Sequence, residues 1–229
     1  MPDAHLGPEL FDFLRDLRAN NNREWFQANR ERYERDVKEP LLAFIAAFAA
    51  PLAQISPHIR ADPRPTGGSL FRIYRDVRFS KDKSPYKTHA AAQFRHKRCR
   101  GDVQTPGFYL HLEPEQVFAG AGIWRPDSAS LQRIRQALVE HPERWTRAIS
   151  HPEFRKSCQL SGDTLKRPPR GFAKDHPLIE DLKRKDFVAA EPFDEATATR
   201  PDFLDRFAAF CRKSAPFMEF LAGALDLEW

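Results

Sequence analysis

The sequence predicts an α+β fold in one domain: N-terminal helices, a central mainly antiparallel sheet and C-terminal helices. Three observations predict it. Apolar residues recur at helical spacing in the first third, alternate with polar ones across the middle, and return to helical spacing in the C-terminal half. Long crossover helices do not alternate with the strands, so a doubly wound parallel sheet is disfavoured. No Gly/Ser-rich linker interrupts the 229 residues, so one domain is expected over 1–229, with its core at about 8–225.

The first helix is expected after Pro8, which suits a first helical position, with Phe11, Leu14 and Leu17 as its apolar stripe. Asn21 and Glu24 have capping-box spacing, so a second helix should start there and turn Trp25 or Phe26, Tyr33 and Val37 inward. A third starts near Pro40 and runs through Leu41, Phe44, Ile45, Phe48 and Leu52. Prolines and glycines over 56–68 make a loop.

Alternation over Leu70–Ser80 predicts a strand, with Arg75 falling on the apolar side. Further strands are expected at Ala91–Lys97, Phe108–Glu113 and Val117–Trp124, with a turn at Glu113–Gln116. Gly120 and Gly122 mark a bulge or a close backbone approach in the last of these. Pro126-Asp127-Ser128 opens a helix through Leu131, Ile134, Leu138 and Val139, and His141-Pro142 and His151-Pro152 begin short ones. Lys166–Phe172 reads as a stiff basic loop. Thr199–Arg212 is a helix, and Pro216 starts another through Phe220 and Leu225.

Composition limits the setting. No run of about 18 apolar residues predicts a membrane helix. The N-terminus lacks the apolar stretch of a signal peptide, so a cytoplasmic location is expected. Cys99, Cys158 and Cys211 are few and scattered, which argues against a disulfide framework and favours buried packing roles.

The net charge is +5, but it is unevenly placed. Arg72–Arg100 holds ten basic and two acidic side chains, a local +8 within a remainder of −3. Such a segment points to a local anion site. Arg72, Arg75, Arg78, Lys81, Lys83 and Lys87 are the candidate anion-binding residues, extended by Arg170 from the basic loop. Ser80, Ser84, Tyr86 and Thr88 offer hydroxyls. Asp76, Asp82, Tyr86 and His89 are the candidate catalytic groups. The alternative is structural: Arg72, Asp76 and Arg78 as an ion-pair ladder, and an inward Arg75 held by a carboxylate. Tyr109 and His111 share a strand face, and with Trp124 form a second candidate feature in which His111 is an acid or base. His89, His96 and His111 lack metal-ligand spacing, and the cysteines form no Cys-x-x-Cys pair, so no metal site is expected. Neither a phosphate loop nor a nucleophile elbow is present, and the residues identify no cofactor.

Two stretches carry a family resemblance: Asn21–Phe26, reading NNREWF, and Phe71–Thr88, reading FRIYRDVRFSKDKSPYKT. With them go Gly107–Glu113, Gly120–Pro126, Leu165–Phe172 and His176-Pro177. The chain resembles a domain-of-unknown-function family marked by these elements, from about Leu10 to Leu221. The resemblance implies one domain and a cytoplasmic setting, and it transfers no activity.

Three functions are consistent with these residues. The favoured one is an enzyme acting on a phosphorylated or acidic small molecule. A nucleic-acid-binding module is second, because Tyr74, Phe79 and Tyr86 interleave with the cations. An interaction protein with an internal ion-pair network is third. No membrane partner is expected.

Overall fold

The computed structural model describes residues 4–98 and 105–229; Cys99 and Arg100 lie outside the described residues. The chain opens with α1 (Glu9–Ala19) and α2 (Arg23–Ala28). Next come α3 (Arg30–Tyr33), a π-helical stretch at Glu34–Lys38, and α4 (Glu39–Ile55), which form one uninterrupted helical run. Helix α2 is capped by Asn22, whose side chain accepts the Trp25 N–H at 2.9 Å. The cap is thus one residue later than Asn21, which leaves Asn21 free for another task.

Among the described residues, six strands make one antiparallel sheet in the order β1-β2-β3-β4-β6-β5. They are β1 (Ile59–Arg60), β2 (Ala90–His96), β3 (Gly107–Glu113), β4 (Gln116–Ile123), β5 (Gln159–Ser161) and β6 (Phe187–Phe193). Helices α5 (Ser128–Glu140), α6 (Pro142–Ser150) and α7 (Pro152–Ser157) lie between β4 and β5. Short helices α8 (Ile179–Leu182) and α9 (Glu195–Ala198) flank β6, and α10 (Phe203–Ala224) closes the fold.

One sheet face carries the core. Phe94 of β2, Phe108, Leu110 and Leu112 of β3, Ala119 and Ala121 of β4, and Phe187 of β6 are buried. Helices α4 and α10 supply the rings against them: Phe48 lies 4.9 Å from both Phe94 and Phe207. The run Arg30–Ile55 is long and apolar enough to cross a membrane by length and composition, but its Leu41, Phe44, Ile45, Phe48 and Leu52 are buried in this core.

Several expectations are corrected. Leu70–Ser80 is not a regular strand. Leu70 bridges Ala92 and Tyr74 bridges Tyr86, so the segment folds into a ragged arm beside β2. Its outer part pairs Ser69 and Phe71 with Gln93 and Ala91 (2.8 and 2.9 Å), and its inner part pairs Ile73 and Arg75 with Lys87 and Pro85 (2.8 and 2.9 Å). Between these pairs one side holds Arg72 alone, while the other holds Thr88, His89 and Ala90. That unequal count breaks the ladder and gives the chain a bulge at Thr88 and His89.

Gly122 marks a close approach rather than a bulge. The β4–β6 register is continuous from Val117↔Phe193 to Ile123↔Phe187, and a Cβ at Gly122 would lie 2.0 Å from the Phe187 carbonyl. Pro216 does not begin a new helix. It lies inside α10, where the packing of Phe207, Phe210, Phe217 and Leu221 keeps the chain helical past a residue that lacks the N–H. Strand β6 was not anticipated, because its alanines give weak alternation and Pro192 argues against a strand.

Candidate functional site

Alternation along β3 brings Tyr109, His111 and Glu113 to the sheet face away from α4 and α10. Strand β2 runs antiparallel beside it, with Ala91 opposite His111. His89, just before β2, therefore arrives at the Glu113 end of β3, and the bulge turns it toward the same group. The two imidazoles lie 4.6 Å apart. His111 Nε2 is 3.2 Å from Glu113 Oε2, and its Nδ1 is 2.9 Å from the Tyr109 hydroxyl. Thr88 donates its hydroxyl to Glu113 Oε1 at 2.7 Å. Phe118 of β4 stacks on His111 at 4.7 Å and fixes the ring plane. Potential ligand atoms of His89, His111 and Glu113 all lie within 4.8 Å of one another.

Electrostatics set the protonation of this group. His89 is lowered to about 4, by burial first and then by the neighbouring His111, Lys87 and Arg75, against the opposing pull of Glu113. Burial also lowers His111, which Glu113 partly offsets. Burial raises Glu113, but the Thr88 hydroxyl and the two histidines outweigh it, and the net shift is downward. Burial and the Glu113 charge hold Tyr109 up at about 12. At neutral pH the cluster is thus two neutral imidazoles, an ionised carboxylate and a protonated phenol. The carboxylate accepts from Nε2–H of His111, so Nδ1 accepts from the Tyr109 hydroxyl in this tautomer, which is assigned from the hydrogen-bond network.

The arm borders the cluster. Lys87 donates to the Arg72 carbonyl at 2.8 Å and lies 5.1 Å from the Phe71 ring, which is itself 6.2 Å from Tyr109. Burial and the Arg72 charge lower Lys87. Arg72 is exposed, and its side chain makes no hydrogen bond or ion pair among the described residues. Lys87 and Arg75 are thus the expected cations whose charge reaches His89, and Arg72 lies beside Lys87.

The other expected residues are placed differently. Asp82 is bound by Arg75 and accepts from the Ser84 N–H and hydroxyl at 2.9 and 2.6 Å. Those bonds, Arg75 first, hold its carboxyl well below the usual range. Asp76 accepts from Arg78 at 2.7 and 3.0 Å, which lowers it to about 2. Both aspartates are engaged as acceptors within the arm, which they staple, and neither joins the His89–His111–Glu113 group. Tyr86 is buried and stacked on Phe26 at 4.1 Å, away from the His89–His111–Glu113 group. Lys83 donates to the Val77 carbonyl at 2.9 Å within the arm tip, and Lys81 is exposed there. Arg170 is exposed on the loop that follows the Leu165 N–H to Lys183 carbonyl bond. That bond lies toward the Phe187 end of β6, the opposite end of the sheet from Glu113, so Arg170 does not join the others.

Trp124 is exposed beside Arg125, and His96 contacts the Glu228 carbonyl at 2.9 Å; neither belongs to the cluster. Cys158 and Cys211 are buried, and burial raises both thiols, as packed side chains. Glu113 was missed as a site residue because it reads as the start of a turn. The signal was the His111-x-Glu113 spacing, which puts both on one strand face.

Two clefts lie elsewhere. One of about 380 Å3 is lined by Arg125, Arg135, Asp163, Lys185 and Asp186, and one of about 340 Å3 by residues of α5, α6 and α10. In the first, Asp186 already accepts the Arg125 and Asp163 N–H groups at 2.7 and 3.0 Å, and Arg135 donates to the Leu182 and Arg184 carbonyls. Its buried polar groups are satisfied by backbone, so volume alone does not make it the site.

The family model described as conserved hypothetical protein DUF2461 matches residues 9–220, and the chain belongs to that family. No curated protein matches the chain.

Proposed function

We propose that this member of the family is an enzyme acting on a phosphorylated or otherwise acidic small molecule at the His89–His111–Glu113 cluster. The observation that carries the reading is the meeting of two neutral imidazoles and an ionised carboxylate with the cations of the arm. His111, held between Glu113 and Tyr109, has the arrangement of a general base and its orienting partner. Arg72 and Lys87 supply charge for the anion, and Arg75 adds to the field while anchoring Asp82.

The test is a turnover screen of phosphate monoesters and small carboxylates with the purified chain. His111→Asn lowers kcat by about 10²-fold or more, in the range of lost acid–base catalysis. Arg72→Ala raises KM with little change in kcat. Equal activity in wild type and both variants defeats the proposal.

A second reading has one supporting observation. Phe79 is 95% exposed at the arm tip, beside Arg78 and near Lys81 and Lys83. An exposed ring among cations suits stacking on single-stranded nucleic acid. It predicts oligonucleotide binding at low salt that Phe79→Ala removes; absence of binding at low salt rejects it.

A further inference from the structure

We infer that His89, His111 and Glu113 are the protein ligands of a divalent first-row transition-metal ion. The inference refines the reading above and rests on it for the substrate: with an ion on Nε2, His111 is a ligand, and the role of base passes to a metal-bound water. The ligand set itself stands on its own geometry.

Three observations carry it. First, the donor atoms are grouped within 4.8 Å, and the 3.2 Å between His111 Nε2 and Glu113 Oε2 already matches adjacent ligands on one ion. Bonds of about 2.0–2.2 Å place adjacent N and O donors roughly 3 Å apart. Second, neither ring nitrogen of His89 makes a hydrogen bond among the described residues, although the ring is half-buried beside a carboxylate. Neither nitrogen is committed to a described protein group, so either can take a ligand that enters from solvent. Third, the ligands have oriented supports. Thr88 holds the distal oxygen of Glu113, and Tyr109 meets Nδ1 of His111. Such supports fix a ligand's direction and tautomer.

Tyr109 also resolves the proton bookkeeping of binding. The metal takes Nε2 of His111, so the proton must reside on Nδ1. The phenol, which donates to Nδ1 in the metal-free state, then accepts from it. One hydroxyl serves both tautomers: the proton lost from Nε2 is matched by one gained at Nδ1, so the imidazole stays neutral and no net proton is released.

The chemistry of the set selects the ion. Two imidazoles and one carboxylate suit zinc, manganese or ferrous ion, whereas calcium and magnesium favour oxygen ligands. Three protein ligands leave positions open for water or a substrate oxygen. Lys87 and Arg75 lie close to His89, so a bare dication meets repulsion that a bound anion relieves. Metal and anion therefore bind with positive coupling, each tightening the other by the same factor.

The experiment is calorimetric titration of the chelator-treated full chain with zinc chloride, in the absence of phosphate. One equivalent binds. Glu113→Gln and His111→Ala weaken it about 100-fold, and Tyr109→Phe about 10-fold, the range for lost supports. His151→Ala, an exposed histidine outside the cluster, leaves it unchanged. Glu113→Gln keeps the side-chain shape, so it carries the test should His111→Ala fail to fold. Absence of stoichiometric zinc, or zinc binding that Glu113→Gln leaves intact, overturns the inference. A parallel titration with inorganic phosphate separates the two claims. Phosphate bound by the metal-free chain and lost in Arg72→Ala, with no zinc bound, defeats the metal and leaves the enzyme reading. Zinc bound with no phosphate, before or after loading, supports the metal and defeats the reading of an anionic substrate.

Discussion

The side-chain amide of Asn21 closes on both backbone groups of Tyr86. Its Nδ2 donates to the Tyr86 carbonyl at 3.0 Å, and its Oδ1 accepts the Tyr86 N–H at 3.1 Å. The amide stands in for a missing strand neighbour. It ties the Asn21–Phe26 stretch to the arm that leads directly into Thr88 and His89. Phe26 reinforces the join by stacking on Tyr86 at 4.1 Å.

Asn21→Ala therefore lowers stability by about 2 kcal/mol, the scale for stranding partly buried backbone groups. Phe26→Ala costs about 3–5 kcal/mol, as for other buried rings. Urea unfolding followed by circular dichroism checks both. Native stability in Asn21→Ala would show that water replaces the amide without loss.

Arg78→Ala should leave the melting midpoint within error. Its partner Asp76 is two residues away and both are exposed, so the pair is screened and holds only the arm tip. A large loss of stability would mean that the tip supports the core. This separates Arg78 from Arg72, whose replacement is expected to weaken anion binding without unfolding.

Much of the fold is legible in the sequence because its signals are local. Phe44, Ile45 and Phe48 announce α4, and Phe108, Leu110 and Leu112 announce β3. What was hidden depends on distant partners. Strand β6 exists because β4 pairs along its whole length, which no periodicity of Ala189 and Ala190 reveals. The arm alternates like a strand, yet lacks a regular neighbour beyond Leu70. His89 and His111 could be named from the sequence. Their meeting with Glu113 required the β2–β3 register and the three-against-one count at Thr88–Ala90, which only the folded chain sets.

Gly122→Ala tests the close approach of β4 and β6. The position has φ of 125°, and an added Cβ would lie 2.0 Å from the Phe187 carbonyl. Backbone strain alone costs about 1–3 kcal/mol, and separation of the strands adds to it. Thermal unfolding reads the loss. A stable Gly122→Ala protein would contradict the observed strand spacing.

Acid should weaken the fold through His96. Burial lowers its pKa from 6.5, only partly offset by the Glu228 carbonyl, with His58 and Arg98 nearby also lowering it. The unfolded chain then binds the proton more readily, so the contribution is complete above about pH 6.5 and is lost as pH falls through the lower folded value. His96→Gln reduces the fall in melting temperature between pH 7 and 5, and the likewise depressed His89 and His111 account for what remains. An unchanged slope would assign the acid sensitivity to other groups.

The most direct measurement of the central claim is a crystal structure of the protein grown with phosphate. The account predicts a phosphate ion held by Arg72 and Lys87 beside His89 and His111. A phosphate seated instead between Arg125 and Lys185, or a cluster left empty at saturating phosphate, would contradict it.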